Sequence, residues 1–260
     1  MRPSGLVPGV EAAFRAVRAP ILEVFASPPV PVEHKDDGTV VTDLDRRLEE
    51  RLAEALLALD PAFGLVGEEG GLRREGDPVW HLDPLDGTLN FTRRLPLFAV
   101  QTVLVEEGRV PLFAAIYDPL ADVFGWAGRG EGAWWGGERL AVSRRGRDRA
   151  LLVLDLARGG RFVTEEGFLA RLRRAVYRAR ALGCVALDLA AVARAQAEGF
   201  VSTRRGRTPV HDFGPGLLFV REAGGLVTTF EGADPFDGCT SLLAAPPAIH
   251  ADLLEVVGGA

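Results

Sequence analysis

The stretch Trp80-His-Leu-Asp-Pro-Leu-Asp-Gly-Thr-Leu-Asn-Phe91 decides how the rest of the chain is read. Its apolar approach, from Val79 to Leu82, predicts a buried strand. The carboxylates Asp83 and Asp86 then emerge at the strand's end, with Asp83-Pro84 as the start of a turn. Gly87 and Thr88 follow, giving small residues and free amides where the chain turns. Hard oxygen ligands beside exposed backbone N–H groups suit a divalent cation with a phosphate bound to it. The stretch therefore points to phosphate chemistry with metal ions.

Two more acidic segments share this plan. Residues 63–67 read as a short buried strand delivering Glu68 and Glu69, and Asp212 is expected to N-cap a helix over residues 213–223, with Pro215 in its first turn. Converging carboxylates repel, so a buried group of them needs cations or protons to neutralise it. Magnesium fits, because it favours oxygen ligands and keeps water and substrate phosphate in its shell. Taken singly, each segment is an ordinary turn, loop or helix cap. The chemical reading rests on their combination.

Further out, Val10, Phe14, Val17, Ile21, Leu22 and Phe25 recur at helical spacing despite Pro20. Leu44, Leu48, Leu52, Leu56 and Leu59 form the stripe of a second helix, capped by Thr42 or Asp43. Residues 98–106, 110–117 and 123–127, with a hairpin turn at Trp135-Gly-Gly-Glu138, predict a largely antiparallel sheet against those helices. The polar run at residues 144–149 places a domain boundary. Residues 1–145 are expected to form an N-terminal α+β domain with most of the candidate ligands, and residues 146–260 a C-terminal α/β domain that completes the site. The second part should contain strands at 151–156, 226–230 and 242–245, and helices at 165–175, 186–197 and 248–257 besides the one after Asp212.

Composition narrows the class. Of 260 residues, 47% are hydrophobic and 25% charged, which suits a soluble globular protein with an extensive core. A net charge of −6 argues against a dedicated nucleic-acid binder. The two cysteines, Cys184 and Cys239, form no Cys-x-x-Cys motif, so neither a zinc knuckle nor a disulfide framework is indicated. No stretch approaches eighteen uninterrupted apolar residues and no signal-peptide core opens the chain, so a reduced, cytoplasmic setting without a membrane partner is expected. His34, His81, His211 and His250 fit no ligand spacing.

The ordered set of motifs resembles the inositol monophosphatase family, magnesium-dependent and lithium-sensitive phosphatases, over nearly the whole chain. Asp83-Pro-Leu-Asp-Gly-Thr88 is similar to the family's central motif, Gly67-Glu-Glu-Gly70 to its upstream acidic motif, and Val41-Thr-Asp-Leu-Asp45 to its helix-start signature. Gly183-Cys-Val-Ala-Leu-Asp-Leu189 resembles the segment lining the substrate, with Cys184 where Ser is usual. Asp212-Phe-Gly-Pro-Gly216 followed by Glu222-Ala-Gly-Gly225 resembles the C-terminal motif.

The resemblance implies an α+β fold, a layered αβαβα sandwich of the inositol monophosphatase and fructose-1,6-bisphosphatase type, and a homodimer. It also implies that Glu68, Asp83, Asp86, Asp212 and the Leu85 carbonyl hold Mg2+, two to three ions per site, with Asp83 bridging. Thr88, oriented by Asp45, would position the attacking water, and Gly87, Thr88, Gly183 and Cys184 would contact substrate. Lys35 and Asp36 would lie on a mobile loop near a third ion.

Two departures stand out. His211-Asp212-Phe-Gly-Pro-Gly216 replaces the usual Trp-Asp-x-Ala-Ala-Gly, and Arg205 stands seven residues before Asp212, where inositol-specific members carry Glu. The stretches Phe200-Val-Ser-Thr-Arg-Arg-Gly-Arg207 and Thr92-Arg-Arg-Leu-Pro96 resemble the archaeal and thermophile branch, which acts on both inositol monophosphate and fructose 1,6-bisphosphate. An Arg in the pocket pairs with a second phosphate better than with a hydroxyl. The implied function is hydrolysis of small sugar or polyol phosphate esters. The alternatives are a 3′-phosphoadenosine 5′-phosphate phosphatase and a family member acting mainly as a regulatory binding protein.

Overall fold

The computed structural model describes residues 2–27, 31–34, 40–156, 165–204 and 208–258. Two helices, α1 (Val7–Ala16) and α2 (Arg18–Ala26), open the chain, with the expected single helix broken at Val17. Pro20 falls in the first turn of α2, where a missing N–H is tolerated. A two-residue pair, β1 (Glu33–His34) and β2 (Val40–Val41), leads to α3 (Asp43–Leu57). Strands β3 (Gly64–Gly67), β4 (Gly71–Arg74) and β5 (Val79–Asp86) follow, then the short α4 (Thr88–Thr92). Next come β6 (Ala99–Glu106), β7 (Val110–Asp118), β8 (Val123–Gly128), β9 (Gly132–Trp135) and β10 (Glu138–Arg139). Trp135 pairs with Glu138 across the expected two-residue turn.

The remaining elements are β11 (Leu151–Asp155), α5 (Phe168–Ala175), β12 (Arg178–Arg180), α6 (Val185–Ala193) and β13 (Gly199–Thr203). Helix α7 (Val210–Glu222), β14 (Leu226–Thr228), β15 (Ser241–Ala245) and α8 (Pro247–Gly258) complete the chain.

The first large sheet has eight strands in the order β10-β9-β8-β7-β6-β5-β3-β4, antiparallel except for β3 beside β5. The second has five in the order β12-β11-β13-β15-β14, with β12, β11 and β13 parallel. Side-chain alternation on the central strands explains the layering. On β6, Val100 and Leu104 point into a core with Phe14, Leu48, Leu52 and Trp80, between the first sheet and helices α1 and α3. Ala99, Val103 and Val105 point the other way, into a core with Leu189, Leu217, Phe219 and Phe200. That second core lies between the two sheets and holds α6 and α7. A third core, with Leu152, Phe168, Val201 and Leu253, covers the outer face of the second sheet under α5 and α8. Helices, sheet, helices, sheet, helices is the expected αβαβα sequence of layers. Because both faces of β6 are covered, its side chains are buried from Ala99 to Val105 and read as an almost unbroken apolar run.

Helix α3 follows its leucine stripe, with Leu44, Leu48, Leu52 and Leu56 all buried. Each such side chain contributes about 2 kcal/mol by leaving water. Thr42 caps it, accepting from the Leu44 and Asp45 amides, while Asp45 reaches back to the Thr42 N–H in a full capping box. Three strands absent from the sequence reading, β4, β12 and β13, join the sheets. Asp212 is not the N-cap of its helix: Pro209 is, and α7 begins at Val210, so Pro215 lies inside the helix rather than in its first turn.

Candidate active site

Strand β5 does not turn at Asp83-Pro84. It runs on to Asp86, with a register shift against β6 between Asp83 and Asp86 that absorbs the proline. Pro84 lacks the N–H that a regular ladder would require there. The irregularity lets both acids face the same end of the sheet. Gly87 then takes φ +84°, and a Cβ there would stand 2.8 Å from the Leu97 carbonyl, so only glycine turns the chain into α4.

Each acid is held by specific donors. Asp83 Oδ1 accepts from the Leu85 N–H at 2.9 Å, and Oδ2 from Gln101 Nε2 at 3.1 Å. The same Gln101 nitrogen donates to the Asp212 carbonyl at 3.1 Å, tying β5, β6 and α7 together. Asp86 Oδ2 accepts from the Ala186 N–H at 2.6 Å and the Cys184 thiol at 3.2 Å, which fixes it to the start of α6. Thr88 Oγ1 lies 2.9 Å from the Leu85 carbonyl and 3.2 Å from Asp45 Oδ1, so its single proton is shared between those acceptors. Asp212 is flanked by Arg204, whose Nη1 meets Oδ2, and by His211, whose Nε2 is 3.2 Å from Oδ1. Arg204 is in turn held by Asp155 at 3.2 Å, and Asp155 accepts from Ser202 at 2.8 Å. Glu68 sits at the end of β3, its N–H on the Leu82 carbonyl at 3.0 Å.

The electrostatics follow from this crowding. Burial, then the charges of Glu68, Asp86 and Asp212, hold the Asp83 carboxyl well above the usual carboxylate range. Burial pushes Asp86 up to about 7 against the pull of the Ala186 amide and the Cys184 thiol, and Asp212 and Glu68 add to the rise. Asp212 goes the other way. Burial works against its charged form, but His211 and Arg204 outweigh it and leave the group below its ordinary value. Asp45 is raised by burial in spite of its bonds to Thr42 and Thr88. Burial drives the Cys184 thiol well up, so it stays a hydrogen-bond donor where a serine hydroxyl could stand. Deeper in α6, Asp188 has no partner on either oxygen and is pushed by burial to about 8.

The structure thus brings Asp45, Glu68, Asp83, Leu85, Asp86, Thr88, Cys184 and Asp212 to one end of the first sheet. Gly183 joins them, its carbonyl 3.2 Å from Asn90 Nδ2. Lys35, Asp36 and Arg205 lie outside the described residues. Among the described residues no three His, Cys, Asp or Glu side chains are gathered as a ready metal-binding group, and oxygens of Asp83, Asp86 and Asp212 are engaged by Gln101, Ala186, Cys184, Arg204 and His211. Gln101, Arg204 and the Ala186 amide escaped the sequence reading. Gln101 had a usable signal, as a lone amide in an otherwise apolar strand; Arg204 was visible only as one member of a basic cluster.

Comparison with known proteins places the chain in a family. Residues 6–258 match the model of the inositol monophosphatase family. The chain belongs to that family. It is therefore an inositol monophosphatase-like phosphoric monoester hydrolase. A fructose-1,6-bisphosphatase/inositol-1-monophosphatase of Thermotoga maritima is 32% identical over 84% of this chain and 82% of its own. A Nus factor SuhB of Pseudomonas aeruginosa is 35% identical over 88% of each. Among solved structures, the extragenic suppressor protein suhB from Bartonella henselae superposes with a TM-score of 0.89 at 28% identity, covering 97% of this chain and 98% of that one. The family's layered α+β fold is the one described above. No helix among the described residues is long and apolar enough to cross a membrane.

Proposed function

We propose that the protein hydrolyses phosphate monoesters of small polyols and sugars, inositol monophosphate and fructose 1,6-bisphosphate among them, with Mg2+ held by Glu68, Asp83, Asp86, Asp212 and the Leu85 carbonyl. The observation that carries this reading is the gathering of buried acids at one end of the sheet: burial raises both Asp83 and Asp86, the charges of Glu68, Asp86 and Asp212 add to the rise at Asp83, and those of Asp212 and Glu68 add to it at Asp86. A fold that gathers carboxylates against their own repulsion has a use for cations there. The donor set fits, being all oxygen and hard, as Mg2+ requires. Bound divalent cations supply an activated water near neutral pH and stabilise the leaving oxygen.

The chain's own residues do the rest. Gln101 and the Leu85 amide orient Asp83, and Ala186 and Cys184 orient Asp86. Arg204 and His211 hold Asp212, and Asp155 holds Arg204 in turn. Thr88 Oγ1, donating to Asp45, presents its lone pairs to a proton of the attacking water. The first-turn amides of α4, which have no acceptor within their own helix and no side-chain cap, would be available to the phosphate oxygens. The attack is in line on phosphorus and needs no enzyme nucleophile.

The Thermotoga relative's name supports the two substrates. The Pseudomonas relative's name, Nus factor SuhB, supports a second reading, a mainly regulatory binding role. Phosphate release from inositol 1-phosphate, fructose 1,6-bisphosphate and 3′-phosphoadenosine 5′-phosphate, with Mg2+ and after EDTA, separates these. Turnover of either of the first two, lost with EDTA and restored by Mg2+, is expected. Preference for the third ester would move the substrate class to nucleotides. Silence on all three would favour the binding role.

A further inference from the structure

A buried carboxylate lies behind the site. Glu49 sits on α3 one turn after Asp45, on the same helix face, and is fully buried. Its Oε2 accepts from the Glu69 N–H at 2.7 Å, and its Oε1 from the Gly70 N–H at 2.8 Å and from Arg73 Nη2 at 2.9 Å. Those amides belong to the loop between β3 and β4 that carries Glu68. Glu68 itself is pinned on its other side by the bond from its N–H to the Leu82 carbonyl, at 3.0 Å. The fit is tight: a Cβ on Gly67 would stand 2.3 Å from the Glu49 carboxyl carbon and 2.5 Å from each oxygen.

The arrangement is costly unless it does something. Burying a third acid beside Glu68 and Glu69 adds repulsion, and Arg73 is the side-chain cation paired with it. A loop could satisfy its own amides with water at far less expense. Instead, α3 reaches across to the loop, so the helix that holds Asp45 against Thr88 also sets the backbone on either side of Glu68.

We propose that Glu49 is a positioning residue for the cation site: by clamping the Glu69 and Gly70 amides it fixes where Glu68 points, and so sets cation affinity without touching cation or substrate. This rests on the metal-binding reading of the site given above. Groups that orient a metal ligand typically change metal affinity about 10- to 100-fold when removed. Glu49→Gln keeps the shape but turns an NH2 group toward the loop's N–H donors. The expected result is an Mg2+ dissociation constant, measured by calorimetry without substrate, raised by about tenfold or more. The KM for the phosphate ester at saturating Mg2+ should stay within about twofold, since no substrate contact is lost.

Glu49→Asp, which keeps the charge but falls short of the loop, provides a second variant measured in the same way should the glutamine variant not fold. Circular dichroism and melting of each variant establish that the fold is retained. Asp83→Asn is the control. If it leaves Mg2+ affinity unchanged, the metal-site reading itself fails. If Asp83→Asn weakens Mg2+ binding but the folded Glu49 variant binds Mg2+ as the parent does, or loses ester and Mg2+ affinity alike, the clamp is rejected and the site stands.

Discussion

Asp83 matters far more for activity than for stability. It is almost wholly buried, and the charges of Glu68, Asp86 and Asp212 all work against its ionised form. Asp83→Asn keeps the shape and the acceptor toward the Leu85 amide and removes the charge, but Gln101 must turn its amide round to accept from the new NH2 group and so gives up its bond to the Asp212 carbonyl. In cation-free buffer the relieved repulsion and the lost bond offset one another, so the variant should melt within a few degrees of the parent. Its turnover should fall about 10^3-fold or more, the scale lost when an electrostatic partner of the reacting group is removed. Near-parental turnover would take Asp83 out of the chemistry. The acids themselves were legible because a dense local motif names them: Asp83, Asp86, Gly87 and Thr88 lie within six consecutive residues. Their supports were not. Glu49 reads in sequence as one more charge on an amphipathic helix, and only the tertiary fold turns it inward. Arg204 likewise acquires its meaning from Asp155 and Asp212, which no spacing rule connects.

At the scale of elements, two helices share the task of holding the acids. The start of α6 grips Asp86 through the Ala186 amide and the Cys184 thiol, and α7 carries Asp212. They lie close together because α7 is thin where they touch: a Cβ on Gly216 would be 2.4 Å from Leu189 Cβ and 2.6 Å from its Cδ1. Leu189 Cβ is fixed to its backbone and cannot swing away. Gly216→Ala gains about 1 kcal/mol of helix propensity but incurs about 1–3 kcal/mol of overpacking. The net effect should be a lower melting temperature, together with a loss of turnover as Ala186 and Asp212 move apart. A more stable and fully active variant would show that the helices can slide freely. Elements with long stripes, such as α3, were read well from sequence. Strand β13 was not, since a five-residue buried run gives no periodicity to separate strand from coil. The start of α7 was misplaced because Asp212 looks like a cap, whereas the helix begins at Val210 after the extended Pro209, with no side-chain cap.

For the whole molecule, the site's charge is coupled to folding. Between pH 6.5 and 8 His81, which burial lowers to about 4, and His250, also lowered by burial, oppose the acids only in part, because their unfolded imidazoles are already half deprotonated at the lower end and lose the remaining protons across the window. Two acids have values inside this window, Asp86 at about 7 and Asp188 at about 8, both from an ordinary value of 3.8, and Asp83, held well above its ordinary value, acts in the same direction. Their folded values are raised, so between pH 6.5 and 8 the folded protein holds protons that the unfolded chain has already released. Stability therefore falls as pH rises through this window, by about 1.4 kcal/mol per pH unit for each proton held. On the metal-binding reading proposed above, a cation at the site would replace the proton on Asp86 and would bind the folded state alone. Melting of EDTA-treated protein should drop from pH 6.5 to pH 8, and added Mg2+ should raise the midpoint more at pH 8 than at pH 6.5, where protons compete for the same carboxylate. A midpoint that climbs with pH in EDTA would mean that the buried acids are already ionised without a cation, and that the fold neutralises them by its own donors.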